Sequence, residues 1–264
     1  VLGDIVGGRL QAVCVPDEGL TQYTTPRAEF CNNTRTLHPG DTVPRTELTA
    51  LLYNAGYARR AQVDGPGQFS IRGDIVDLYA PDMKLPVRME FWGDEIDTMH
   101  TFDLATQRRE DPIEKIYVSP AREVLFGSPA EAAELLRDFI KKFRGKKRTA
   151  LEACLATELA QLDGGALPVN MDKYLAVRYP QPATLLDYFD DPLLVLEEPA
   201  SLREAERATT YRRGEEISAL LQDGVLAAGL DNLYAENGYL WAQAANHRTI
   251  CAENFARSMP DIPL

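Results

Sequence analysis

The chain has 264 residues, of which 45% are hydrophobic and 26% charged. That balance excludes a chain that is disordered, collagenous or coiled-coil throughout, and no apolar run reaches the roughly 20 residues a membrane-spanning helix needs. Lys and Arg number 28 against 40 Asp and Glu, a net charge of −12, which argues against broad binding to DNA phosphates and leaves room only for a local basic patch.

The opening VLGDIVGGRLQ lacks the charged start and long apolar core of a signal peptide. With Val1 in place of an initiator Met, the chain reads as excised from a longer parent. QAVCV (11–15) reads as a short buried strand closed by Pro16, and the polar stretch 21–41 has no clear period. Pro44 opens a helix with Leu48, Leu51, Leu52 and Ala55 on one face and Asn54 and Gly56 as its stop. From 68 to 102 the period switches to two. QFSIR is a strand, and IVDLY continues it beyond a bulge at Gly73. PVRMEFW is the next strand, Gly93-Asp94 a hairpin turn, and EIDTMHTF the third strand of an antiparallel meander.

Helical periodicity returns after 116. Ser128, Pro129 and Glu131 form a capping-box start for a helix with a stripe of Leu135, Leu136, Phe139, Ile140 and Phe143. RGKKR (144–148) is a basic connector. A second helix carries Leu151, Leu155, Leu159 and Leu162 and stops at Gly164-Gly165. LLVLE (193–197) reads as a strand from inside a parallel sheet. Ser201 and Glu204 form another capping box, and 229–251 has no clear assignment. The whole is an α/β chain with a β-rich insert: a discontinuous α/β domain of 1–43 and 116–264, and an antiparallel module of 44–115.

Chemistry-bearing motifs are sparse. Cys14, Cys31, Cys154 and Cys251 are far apart, as are His38, His100 and His247. They predict buried, reduced thiols in a cytoplasmic chain and no metal site. No GxxxxGK[ST] loop is present to cradle phosphates. LLVLEEP (193–199) looks like a Walker B strand, but without a phosphate loop its Glu197 and Glu198 predict no nucleotide hydrolysis and no cofactor. Asp94, Glu95 and Asp97 read as a solvated turn, and no GxSxG elbow occurs.

Strand parity is more informative. In PVRMEFW, Val87, Met89 and Phe91 point to one face and Arg88, Glu90 and Trp92 to the other. In QFSIR, Phe69 and Ile71 face the core, so Arg72 points outward. An outer face with Arg72, Arg88, Glu90 and Trp92 suits a protein partner, because Arg and Trp dominate interfaces and mixed charges do not suit phosphate. The alternative is an internal Arg–Glu cross-strand pair covered by the indole. The run Lys141, Lys142, Arg144, Lys146, Lys147 and Arg148 is the one DNA-like patch; its alternative is a solvated helix end, where cations suit the dipole.

GQFSIRGDIVDLYAP (67–81) and LPVRMEFWGDEIDTMHTFDLATQRR (85–109) resemble the UvrB-homology module shared by UvrB and the transcription-repair coupling factors (Mfd). VSPAREVL (118–125) and LLDYFDDPLLVLEEP (185–199) are similar to further segments of the coupling factors, and FDLATQRR favours them over UvrB. Trp92 stands where Phe is more usual, and Asp74 where the coupling factors often have Gly and UvrB has Asp. The resemblance implies a degenerate RecA-like, P-loop-less discontinuous domain with an inserted antiparallel β-rich domain. It implies docking of that insert onto UvrA through Arg72, Arg88, Glu90, Trp92 and Asp94, with Glu197 and Glu198 as relics. It also implies a parent that binds RNA polymerase and moves on DNA with ATP, while this segment is a binding module and not an enzyme. The alternative is a fragment of UvrB, a damage-verifying ATPase and helicase. On the docking reading, Arg88→Ala weakens UvrA binding and leaves the fold intact.

Overall fold

The computed structural model describes residues 1–227 and 229–254. In chain order its elements are helices α1 (Leu2–Val6), α2 (Asp17–Thr21) and α3 (Arg27–Asn32), strand β1 (Arg35–Leu37), helix α4 (Arg45–Asn54), and strands β2 (Ala58–Arg59), β3 (Gln68–Arg72), β4 (Ile75–Tyr79), β5 (Val87–Trp92), β6 (Glu95–Phe102), β7 (Arg109–Pro112) and β8 (Ile116–Val118). There follow helices α5 (Pro129–Lys141), α6 (Gly145–Asp163) and α7 (Leu175–Arg178), strand β9 (Leu193–Glu197), helices α8 (Pro199–Gln222) and α9 (Tyr239–Asn246), and strand β10 (Arg248–Ala252). The chain is mixed α/β and divides into two units. One comprises residues 1–10, 27–134 and 162–172, and contains all of 44–115; the other comprises 11–26, 135–161 and the chain from 173 onward.

The first unit is built on a six-stranded sheet in the order β2-β3-β4-β5-β6-β7. Neighbours from β3 to β7 are antiparallel, and β2 joins β3 in parallel. Two tight turns set the register. Arg72 pairs with Ile75 across Gly73-Asp74, and Trp92 pairs with Glu95 across Gly93-Asp94. Gly73 (φ +60°) and Gly93 (φ +63°) hold the left-handed conformation that a two-residue hairpin loop asks of its first residue. IVDLY is therefore a separate strand that folds back on QFSIR, not its continuation past a bulge. The bulge lies elsewhere, where the β5–β6 register shifts between Glu90 and Phe91.

One face of this sheet is apolar. Phe69, Val76, Leu78, Val87, Met89, Phe91, Ile96 and Met99 are buried in one cluster with Leu48, Leu52 and Ala55 of the α4 segment. Helix α4 starts just after Pro44, as predicted. Tyr53 meets Phe69 edge-on at 5.4 Å. Each such side chain contributes about 1.5–3 kcal/mol by leaving water, so the apolar alternation of the strands and the α4 stripe fix which sheet face is left for function.

The second unit departs further from expectation. QAVCV forms no strand; Gln11, Ala12 and Cys14 are exposed. Five alternating residues with no neighbouring strand have no ladder to join, and Pro16 instead precedes α2. Strand β9 is parallel, as read, but among the described residues its only neighbour is β10, which includes the end of the stretch left unassigned. Leu193 and Val195 are accordingly exposed instead of buried within a sheet. Helix α8 opens at Pro199 from a left-handed Glu198 with no side-chain cap, so its N-cap lies three residues before the expected Ser201 cap. At α5 the capping expectation holds in part. Ser128 Oγ accepts the Glu131 N–H at 3.1 Å, while the Glu131 carboxylate accepts the N–H of Gly127 at 2.8 Å.

RGKKR is not a connector, since Gly145 onward is the first turn of α6. The exposed cations Lys146, Lys147 and Arg148 thus sit at a helix N-terminus, the end where positive charge opposes the dipole. The thiols are also more open than predicted: Cys14, Cys31 and Cys251 are exposed, and Cys154 is half-buried with its Sγ donating to the Gly224 carbonyl at 3.2 Å. Among the described residues no helix is long and apolar enough to cross a membrane.

A candidate protein-binding face

The opposite face of the six-stranded sheet is polar, and its centre is a residue the sequence reading passed over. Register places Ser70 opposite Asp77, Asp77 opposite Arg88, and Arg88 opposite His100, a row across four strands. Asp77 is fully buried. Arg88 grips it with two donors, Nε to Oδ1 at 2.6 Å and Nη2 to Oδ2 at 2.9 Å. Arg72 Nη2 reaches Oδ2 from the other side at 2.6 Å. Such a fork-on-carboxylate arrangement is strong and geometrically exacting.

The loop after β6 supports the row from outside. Asp103 Oδ1 accepts both the N–H and the hydroxyl of Thr106, at 2.7 and 2.8 Å, which holds the Asp103 carboxyl below the usual carboxylate range. The turn carries Gln107 in a left-handed conformation, φ +57°, and its carbonyl accepts from Arg88 Nη1 at 3.3 Å. The Arg88 guanidinium lies 4.7 Å over the Phe102 ring. The FDLATQRR string is thus a clasp: Phe102 beneath Arg88, Asp103 and Thr106 shaping the turn, Gln107 closing on Arg88. Arg109 then pairs with Glu90 at 3.3 Å and donates to His100 Nε2. His100 is buried and its Nδ1 has no partner among the described residues. Burial, and then the Arg109 charge, push its pKa down against the upward pull of Glu90.

The five residues expected from parity and motif therefore sit together at one side of this sheet, but in different states. The Arg88 side chain is only 15% exposed and Arg72 46%. Glu90 also accepts from the Thr98 hydroxyl at 3.3 Å. Trp92, at the end of β5, is 84% exposed, and Asp94 beside it is exposed while its carbonyl accepts the Val43 N–H at 2.7 Å. The internal cross-strand pair weighed as the alternative exists, yet its acid is Asp77, not Glu90, and the indole is largely exposed instead of sealing that pair. A charged residue in the middle of the apolar IVDLY run was the available signal for Asp77. The basic run Lys141 to Arg148 lies in the second unit, exposed at every cation. Glu197 is exposed, and Glu198 accepts the Asn254 N–H at 2.8 Å. Among the described residues no His, Cys, Asp or Glu group is arranged to hold a metal ion.

Residues 36–124, which contain this whole face, match the family model of the UvrB interaction domain. The chain is also similar over most of its length to curated proteins named transcription-repair-coupling factor. That of Bacillus subtilis (strain 168) is 29% identical over 233 residues, 85% of this chain and 20% of the relative. That of Staphylococcus haemolyticus (strain JCSC1435) is 31% identical over 221 residues, 80% of this chain and 18% of the relative. The chain spans about a fifth of the length of these relatives. The resemblance read from the motifs at 67–81 and 85–109 is borne out, and both strings fall inside the matched residues.

Proposed function

We propose that this chain is the UvrA-docking part of a transcription-repair coupling factor, and that it brings nucleotide excision repair to stalled RNA polymerase. Residues 44–115 are the docking insert, while 1–43 and 116–264 form a degenerate RecA-like domain that hydrolyses no ATP. DNA translocation and polymerase contact belong to the remainder of the longer protein. The single observation that carries this reading is the largely exposed Trp92 on a sheet whose polar side also presents a half-exposed Arg72 two strands away, within a segment matching the UvrB interaction domain. Trp and Arg are among the residue types that most often dominate interface energetics. The test is capture of UvrA by the 264-residue chain. The wild-type chain retains UvrA, and Arg72→Ala weakens retention at least tenfold, about 1.4 kcal/mol; equal retention by both would reject the docking face.

A second reading concerns the basic run alone. Lys142, Arg144, Lys146 and Lys147 have no acidic partner among the described residues, whereas Lys141 and Arg148 pair with Asp138 and Glu152. Unpaired cations at a helix start favour contact with nucleic-acid phosphates. A gel shift titrated with salt decides it, since phosphate binding must weaken steeply as salt rises.

A further inference from the structure

We infer that Asp77 is a positioning residue that divides the two arginines of the docking face into a tether and a contact, an inference that rests on the UvrA-docking reading. Arg88 is the tether. Its side chain is mostly buried, its Nε and Nη2 are committed to Asp77, its Nη1 to the Gln107 carbonyl, and its flat side to Phe102. Little of that guanidinium is left for a partner. Arg72 is the contact. It is half-exposed and spends one N–H on Asp77, and the rest of its fork has no partner among the described residues.

Charge leads to the same division. One buried carboxylate sits between two guanidiniums, so the Asp77–Arg72–Arg88 cluster keeps one positive charge, while Glu90 and Arg109 offset each other and the exposed Asp94 lies away from it at the β5–β6 turn. That cluster is therefore complementary to a single partner carboxylate set over Arg72, with a separate apolar recess taking the Trp92 indole. Asp77 itself is out of a partner's reach and acts only through Arg72, by fixing a long side chain in one rotamer before binding. Ordering such a side chain in advance is worth about a two- to tenfold gain in affinity.

The test is a set of UvrA titrations on the 264-residue chain. Asp77→Asn combined with Arg88→Gln replaces the buried ion pair with a neutral amide pair and releases Arg72. We expect affinity to fall about two- to tenfold, and Arg72→Ala to cost less in that background than in the wild type, while Trp92→Ala costs the same in both. An undiminished Arg72→Ala effect, with wild-type affinity in the paired variant, overturns the inference and leaves the docking reading standing. Absence of UvrA binding by the wild-type chain overturns both. Should the paired variant fail to fold, side-chain relaxation of Arg72 in the wild-type chain decides: restricted guanidinium rotation supports the tethered geometry, and free rotation refutes it.

Discussion

Asp77 governs what single substitutions on the sheet face can report. Arg88→Ala does not leave the fold untouched, because it strips two donors from a fully buried carboxylate. We expect a loss of about 3 kcal/mol in urea denaturation, the lower end for a broken buried pair since Arg72 still holds Asp77. Trp92→Ala should change stability by less than about 0.5 kcal/mol in the same measurement, because the residue is 84% exposed. His100 adds a pH dependence of definite sign. Its pKa is depressed below 6.5 in the folded chain, so on acidification the unfolded chain takes up the proton first. Stability is then greatest above pH 6.5 and falls as pH drops toward the folded value. Thermal melts between about pH 7.5 and 5.5 should show this slope, and His100→Gln should reduce it. Of these residues the sequence exposed Arg72, Arg88 and Trp92 through strand parity. Asp77, Gln107 and His100 act through cross-strand neighbours, and which residues are neighbours depends on a register that parity alone does not supply.

At the scale of elements, the turns carry the geometry. Gly73 and Gly93 have positive φ and open space where a Cβ would go, so Gly73→Ala should destabilise through backbone strain alone, by about 1 kcal/mol in chemical denaturation. Elements with strong internal period were legible: the α4 stripe, the β5–Gly93–β6 hairpin, and α5 with its Ser128 start. Others hinge on partners far along the chain. QAVCV has the apolar content of a strand and no strand beside it, whereas β9 finds its partner more than fifty residues downstream in β10. Gly73 was ambiguous for a local reason, because a glycine within a strand pattern serves a bulge or a turn equally well. Reading it as a turn sets Asp77 opposite Ser70; the pairing of Asp77 with Arg88 depends on the longer β4–β5 connection.

At the scale of the whole molecule, the polar sheet face lies in the first unit and β9, with Glu197 at its end and Glu198 after it, in the second, and only the first unit carries the family match to the UvrB interaction domain. The proposed role follows from that match and from the exposed Trp92, with no contribution from the LLVLEEP string. The measurement that tests this most directly is calorimetric titration of UvrA into the wild-type chain and into Trp92→Ala. The account predicts a saturable complex with the wild type and a loss of about 2 kcal/mol or more, roughly thirtyfold, for Trp92→Ala, with both chains equally stable. Equal affinity of the two, or no complex with the wild-type chain, would contradict it.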